Sequence, residues 1–189
     1  EGFAPEVLFL DLPRHDGTAS ENSAQIAVFA RPWRPIVVSS SAGTEGYRQR
    51  AVLDRPAMIG TLAMPLTSGP SGRFDRQNTI LIDLPSGELS SATELSVLNG
   101  ENRMAVRAAN GVWEIIAFAR AEEIAPARWR LSALLRGLGG TEDALAIGAP
   151  VGAPVVVLDA AVQPLGLAAT ERGRRLNWIV EAAGMAGAP

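Results

Sequence analysis

Apolar positions along this chain recur mostly with a period of two, in short runs broken by Gly, Pro, Ser and Asn. From Arg128 to Arg136 the residues Trp129, Leu131, Ala133 and Leu135 fall on one face of an extended chain. Arg128, Arg130, Ser132 and Arg136 fall on the other, and Leu134 is the exception. A half-buried strand requires this alternation, because successive side chains point to opposite faces. Upstream, Trp113, Ile115, Ala117 and Ala119 alternate with Val112, Glu114, Ile116, Phe118 and Arg120, so both faces are apolar and a more deeply buried strand is predicted. The competing reading is a helix over Glu114 to Ala125, which is rich in Ala, Ile and Glu. Glu122 to Ala127 is polar and contains Pro126, so it is expected to connect two antiparallel strands.

Further strands are predicted at Val7–Pro13, Ile26–Ala30, Ile36–Ser40, Tyr47–Leu53, Arg55–Leu62, Thr79–Leu84 and Val155–Leu158, with a last one at Leu176–Val180. Glu94–Leu98 leads into the turn pair Asn99-Gly100, Met104–Val106 continues as strand, and Asn110-Gly111 makes a second tight turn. Arg136-Gly137-Leu138-Gly139-Gly140-Thr141 forms a glycine-rich corner. At least one of Gly139 and Gly140 is expected at positive φ, and Thr141 to cap a short helical turn begun by Glu142 and Asp143. As a phosphate cradle the corner fails, because it lacks the GxxxxGK[ST] spacing and puts two carboxylates where the anion would sit. The expected class is all-β, with one or two small antiparallel sandwich or barrel domains and short helical turns. Leu66–Gly72 (LTSGPSG) reads as the boundary between a β domain over 1–66 and a second over 73–182, with a flexible small-residue tail over 183–189.

Composition narrows the function. At 189 residues the chain can bury about 70% of its unfolded surface without covalent help. It has no Cys, so disulfides and thiolate metal sites are excluded. A net charge of −3 and a pI near 5.3 argue against general nucleic-acid affinity. All 17 basic residues are Arg, which beside abundant Ala and Gly reads as compositional bias. A local basic patch from Arg107, Arg128, Arg130 and Arg136 competes with an ordinary solvated strand face. No apolar run approaches the ~20 residues of a membrane span, and no signal-peptide pattern opens the chain. The start without Met and the small-residue end read as cuts from a longer polypeptide or a processed product.

Candidate chemistry is sparse. The lone His15 lies near Asp11 and Asp16, but one imidazole is weak support for a metal or acid–base site, and an exposed loop is the better reading. Trp33 stands between two prolines, either as an exposed stacking platform or as a plug on a small core, with the plug favoured. Glu122 and Glu123 are sequence neighbours, which in a strand point apart and do not make a glycosidase pair. No catalytic, cofactor-binding or metal-binding residue is assigned, no cofactor is expected, and the chain is not expected to be an enzyme.

Three segments taken together carry a resemblance. They are Asp75-Arg76-Gln77-Asn78-Thr79 with Ser86-Gly87-Glu88-Leu89-Ser90-Ser91; Val97-Leu98-Asn99-Gly100-Glu101-Asn102; and Trp113-Glu114-Ile115-Ile116-Ala117-Phe118 with Arg130-Leu131-Ser132-Ala133-Leu134-Leu135-Arg136-Gly137 and Gly140-Thr141-Glu142. The set resembles the tail-tip or baseplate proteins of siphophages and of the gene transfer agents of α-proteobacteria. Those chains often carry a TIM-barrel-like hydrolase domain, followed by a tail-protein region to which this match belongs. Leu138 stands where that family usually has Gln, and Trp129 where it usually has Tyr. The resemblance implies a non-enzymatic structural module at the tail tip of a phage-like particle, assembled in the bacterial cytoplasm. The implied partners are other tail or baseplate subunits or other domains of a longer chain, with host cell-surface glycan as a further candidate. No nucleic acid and no membrane span are implied. A β-sandwich carbohydrate-binding module is the alternative, and it requires several exposed coplanar rings.

Overall fold

A computed structural model describes residues 4–13 and 22–184, apart from the side chain of Asn22. His15 and Asp16, and residues 185–189 of the small-residue tract, lie outside the described residues. In chain order the first strands are β1 (Glu6–Pro13), β2 (Asn22–Phe29), β3 (Ile36–Ser41), β4 (Arg48–Leu53), β5 (Ile59–Leu62) and β6 (Ile80–Asp83). A short helix α1 (Glu94–Leu98) precedes β7 (Arg103–Arg107), β8 (Trp113–Ala125) and β9 (Arg128–Leu138). Helix α2 (Glu142–Ile147) is followed by β10 (Pro154–Val157), β11 (Gln163–Pro164) and β12 (Asn177–Ala182). The protein is therefore mostly β, as the alternation predicted.

Two compact units are present, one of Glu1–Ala57 with Ala160–Pro189, the other Met58–Asp159. The first is a sandwich of two antiparallel sheets, ordered β1-β2-β11 and β12-β3-β4. Its core is built by period-two alternation: Ile26 and Val28 of β2 and Ile36 and Val38 of β3 are buried with Leu53 and Leu165. Val7, Trp33, Trp178 and Val180 pack against this cluster. The β3–β4 register shifts between Val38 and Ser39, which leaves Arg50 without a cross-strand partner. Its Nε donates instead to Ser40 Oγ at 2.8 Å, and its Nη1 to Glu171 at 3.1 Å.

The second unit is a closed antiparallel barrel in the order β10-β5-β6-β9-β8-β7. Closure removes the free edges a sheet would otherwise expose. Leu62, Ile80, Ile82, Met104, Val106, Ile116, Phe118, Trp129, Leu131, Leu134 and Val155 form its core. A second cluster, Val97, Ala117, Ala119, Ala133 and Leu135, lies on the other side of β8 and β9. β8 is thus buried on both faces over its first half, which is why both faces read as apolar, and it is a strand and not the competing helix.

Four local readings are corrected. The segment Glu122–Ala127 is not a connector: β8 runs to Ala125 and β9 starts at Arg128, leaving only Pro126 and Ala127 to turn. Ala127 has φ 59°, and Pro followed by a positive φ is the type II arrangement. The polarity that suggested a loop reflects exposure of this end of the hairpin, where Glu122 to Ala125 are solvated. The alternation in β9 breaks at Ala133, whose φ is 52°. Trp129 and Leu131 therefore face the barrel core together with Leu134, while Ala133 and Leu135 join the outer cluster. Glu94–Leu98 is a helical turn and not an extended run: Thr93 Oγ1 accepts from Ser96 N at 3.1 Å, an N-cap that fixes the helix start. Finally, Leu66–Gly72 is no boundary but lies inside the barrel unit, bridged through Leu66 to Ala149 and through Ser71 to Arg136. The division falls at Ala57/Met58 and Asp159/Ala160, and a bond from Val157 N to Met58 O of 3.0 Å brings the two ends of the barrel unit together.

Candidate functional site

At the end of the barrel away from those two chain connections lie the β5–β6 strap (63–79), the β7–β8 hairpin (108–112) and the β9–β10 connection (139–153). A buried ion pair anchors the strap at this end. On β8, Glu114 shares a strand face with the core residues Ile116 and Phe118; on β9, Arg136 shares one with Leu134. The pair thus occupies the last inward layer of the barrel, where Arg136 is 1% and Glu114 2% exposed. Arg136 Nε donates to Glu114 Oε1 at 2.6 Å and Nη2 to Oε2 at 2.9 Å. This is the two-pronged geometry that makes Arg–carboxylate pairs strong and directional. Nη1 and Nη2 also donate to the carbonyl of Thr67 at 3.2 Å, and Gly137 N donates to Glu114 Oε1 at 3.1 Å.

Asp75 extends the cluster into the strap. Its carboxylate accepts from Gln77 N at 3.0 Å, Asn78 N at 3.1 Å and Asn78 Nδ2 at 2.7 Å. Burial pushes the Asp75 carboxyl up, but these hydrogen bonds and the charge of Arg136 outweigh it and hold the group below its usual range. Its main chain pairs with Leu134 in both directions, at 2.7 and 2.9 Å. Gly69 closes over the cluster: a Cβ there would lie 2.9 Å from Asp75 Oδ2 and 3.3 Å from Arg136 Nη1. The LTSGPSG composition is therefore that of a strap whose backbone must approach buried charges closely.

The glycine corner completes this end. Gly139 and Gly140 have φ 67° and 84°, as the sharp turn demanded. Thr141 precedes α2, but its hydroxyl is not the cap that was expected. It accepts from Ile115 N at 3.0 Å and donates to Leu138 O at 2.8 Å, tying the helix start to β8 and β9. Hydrogen bonds then join the three connections: Ala109 N to Gly148 O at 2.9 Å, Gly152 N to Leu62 O at 2.8 Å, and the Leu66–Ala149 bridge. On these tied segments four apolar side chains face solvent: Met64 at 40%, Val112 at 45%, Ile147 at 47% and Val151 at 58% exposure.

The remaining candidates are dispersed. Trp113 and Trp129 are each 7% exposed, so neither offers a ring to a ligand. Trp33 is half-buried against the sandwich core, its indole N–H donating to Asp54 O at 3.2 Å, which makes it the plug. Glu122 pairs with Arg130 at 3.3 Å, whereas Glu123 accepts from Ala127 N at 3.0 Å within its own turn. The basic patch of Arg107, Arg128, Arg130 and Arg136 does not form: Arg128 is held by Asp83 at 2.7 and 2.9 Å, Arg130 by Glu122, and Arg136 is buried. A surface cavity of about 470 Å³ in the sandwich unit is lined by residues that include Asp11, Ser23, Leu167 and Arg172. Among the described residues no three of His, Asp and Glu gather to hold a metal ion, and no helix is long and apolar enough to cross a membrane.

The buried pair was not anticipated from the sequence. Its signal was an acid, Glu114, on a face otherwise occupied by Val112, Ile116 and Phe118, within reach of a strand carrying Arg136.

Residues 57–156 match the family described as Rcc01698-like, C-terminal, and the chain belongs to that family. The match spans almost the whole barrel unit, and the family's name is one associated with gene transfer agents. No curated protein matches the chain.

Proposed function

We propose that this chain is a non-enzymatic structural module of a gene-transfer-agent or phage-like tail tip, acting through protein contacts made by the loop end of its barrel. The observation that carries this reading is the pairing of a buried anchor with an exposed apolar display. Glu114, Arg136 and Asp75 fix the strap, and main-chain hydrogen bonds tie the other two connections to it and to each other. The three segments hold Met64, Val112, Ile147 and Val151 in solvent. Ordering a loop in advance removes entropy that binding would otherwise cost, and exposed apolar side chains supply the driving force for association. A stable contact of this kind buries roughly 800 Å² on each partner. The family membership supports a place in a gene transfer agent particle, and the partners are then neighbouring tail or baseplate subunits or domains of the same longer chain.

The test replaces Ile147 and Val151 together by Asp in the particle-producing background. Both side chains are about half exposed, so the fold should tolerate the change while incorporation into particles, or transfer activity, falls at least tenfold. Particles that assemble and function normally with the double variant would overturn the assigned surface. Catalytic inertness is tested separately: release of soluble sugar from peptidoglycan or host polysaccharide, abolished by Glu122→Gln, would replace the structural reading with an enzymatic one.

A further inference from the structure

The pair Asn-Gly occurs twice in the chain, at Asn99-Gly100 and at Asn110-Gly111. In such a pair the main-chain nitrogen of the glycine can attack the asparagine amide, because glycine puts no Cβ in the way. The two places share much. Both asparagines are exposed, and both glycines have positive φ, 107° at Gly100 and 88° at Gly111. Each attacking nitrogen is held in a turn, Gly100 N by Val97 O at 3.0 Å and Gly111 N by Ala108 O at 2.9 Å. A guanidinium also lies beside each: a Cβ on Gly100 would sit 3.5 Å from Arg103 Nη2, and one on Gly111 3.7 Å from Arg107 Nη2.

Two differences single out Asn110. Val112 N donates to Asn110 Oδ1 at 3.2 Å, which folds the side-chain amide back across Gly111. That donor faces the oxygen on which negative charge gathers when Cγ is attacked, and a donor so placed stabilises the adduct. Among the described residues none hydrogen-bonds the Asn99 side chain. The second difference is in the main chain. Asn99 ends α1, where its N–H donates to Leu95 O at 3.0 Å and Glu101 N donates to Ser96 O at 3.1 Å. Those bonds oppose the rotation that would bring the Asn99 amide to Gly100 N. Asn110 lies at the tip of the β7–β8 hairpin, and its own N–H makes no hydrogen bond to a described residue.

We infer that Asn110 is a site of spontaneous deamidation, reacting with Gly111 through a succinimide and converting faster in the folded chain than Asn99. Gly111 N loses its proton to hydroxide and bonds to Asn110 Cγ; the Cγ–Nδ2 bond then breaks and ammonia leaves. Water opens the ring at either carbonyl. Opening at the side-chain carbonyl leaves Asp, and opening at the main-chain carbonyl leaves isoaspartate, with the chain running through Cγ. One water is consumed and one ammonia released, with no change of oxidation state. The Arg107 charge favours both the anionic nitrogen and the anionic adduct. Either product puts a carboxylate at the hairpin tip, and the iso form adds a main-chain atom beside Val112 and the Ala109–Gly148 bond. An effect on assembly rests on the role proposed for Val112; the modification itself does not, and it is read on the isolated chain.

The experiment ages the full chain in warm, mildly alkaline buffer, with and without denaturing urea. Samples are digested and analysed by mass spectrometry for Asn, Asp and isoaspartate at both positions. In the folded chain Asn110 should convert at least fivefold faster than Asn99. In urea, where only the dipeptide counts, the two rates should come within twofold of each other. Isoaspartate should accompany Asp at position 110, because ring opening yields both and direct hydrolysis yields Asp alone. The comparison uses the unaltered chain, so no variant has to fold. A folded-state ratio below fivefold, a ratio that stays as large in urea, or a product that is Asp alone would overturn the inference.

Discussion

Replacing Arg136 by Met tests the central claim about the barrel, that its loop end is set by a buried ion pair. Arg136 makes two charge-assisted bonds to Glu114 and shares two donors with the Thr67 carbonyl. Met fills much of the same volume but supplies none of these donors. Glu114 is then left 2% exposed with the Gly137 N–H as its remaining partner, and Asp75 loses the nearby cation. Breaking a buried pair on one side typically costs about 3–5 kcal/mol, because an uncompensated charge stays buried. For a unit of this size that lowers the barrel transition by more than about 10 °C. Trp113 and Trp129 lie in the barrel and report its unfolding by fluorescence in urea. Glu114→Gln keeps one acceptor for the guanidinium and should cost less, about 2–3 kcal/mol, in line with losing a bond to a charged group. The double variant Arg136→Met with Glu114→Leu removes both charges and should cost less than the two single effects added, with a coupling of about 2 kcal/mol or more. A single-variant cost below about 1 kcal/mol, or strict additivity in the cycle, would refute the reasoning.

Four other expectations can be checked with the same assay. Trp129→Ala removes a buried ring of the barrel core and should cost about 3–5 kcal/mol; a loss under about 1 kcal/mol would contradict its role as an anchor. Gly148→Ala should destabilise by more than the ordinary Gly-to-Ala difference of about 1 kcal/mol, because its φ is 73° and a Cβ there would strike the Leu66 carbonyl. For Asp75 the folded-state pKa is depressed, so its contribution is complete above an unfolded value of about 3.9 and is lost as pH falls through the lower folded value. Asp75→Asn should flatten stability against pH below about pH 4, and an unchanged acid limb would show that the group is not stabilising. Residues 58–159 expressed alone should fold with a cooperative transition, since their ends are joined by the Val157–Met58 bond and they carry their own core.

The sequence made the strands visible where one side of the chain is dry and the other wet, and blurred them elsewhere. Trp129 and Leu131 were legible because Arg128 and Arg130 alternate with them in solvent. Past Ala133 the pattern failed, because a positive φ swaps faces within one strand and no composition signal marks an Ala in that conformation. The far end of the β8–β9 hairpin was read as loop for the converse reason: both faces are solvated, so polarity carries no period. Leu66–Gly72 has a linker's composition, yet its small residues serve close packing over Asp75 and Arg136. The true division at Ala57/Met58 and Asp159/Ala160 left little trace, because a chain that leaves one unit and returns to it needs no flexible linker when both crossings are adjacent. The ion pair was half legible: Glu114 on an apolar face called for a partner, but the partner's strand register was beyond the reach of pattern reading.

The segments that carry the resemblance lie where the barrel is most constrained. Asp75, Asn78, Glu114, Arg136, Gly137 and Thr141, drawn from separate motifs, converge on one buried layer and on the turns around it. None of them faces solvent in a way that could select a partner. They fix how the strap and the glycine corner cross the end of the barrel. Under the proposed assembly role, partner choice would fall instead to exposed side chains such as Met64, Val112, Ile147 and Val151, which no motif marked. The residues that hold the fold and those offered to the proposed partner are therefore different residues of the same segments. If the proposed assembly surface is right, a change at Val151 should weaken assembly while leaving stability nearly untouched, whereas a change at Arg136 should lower stability first and assembly only as a consequence.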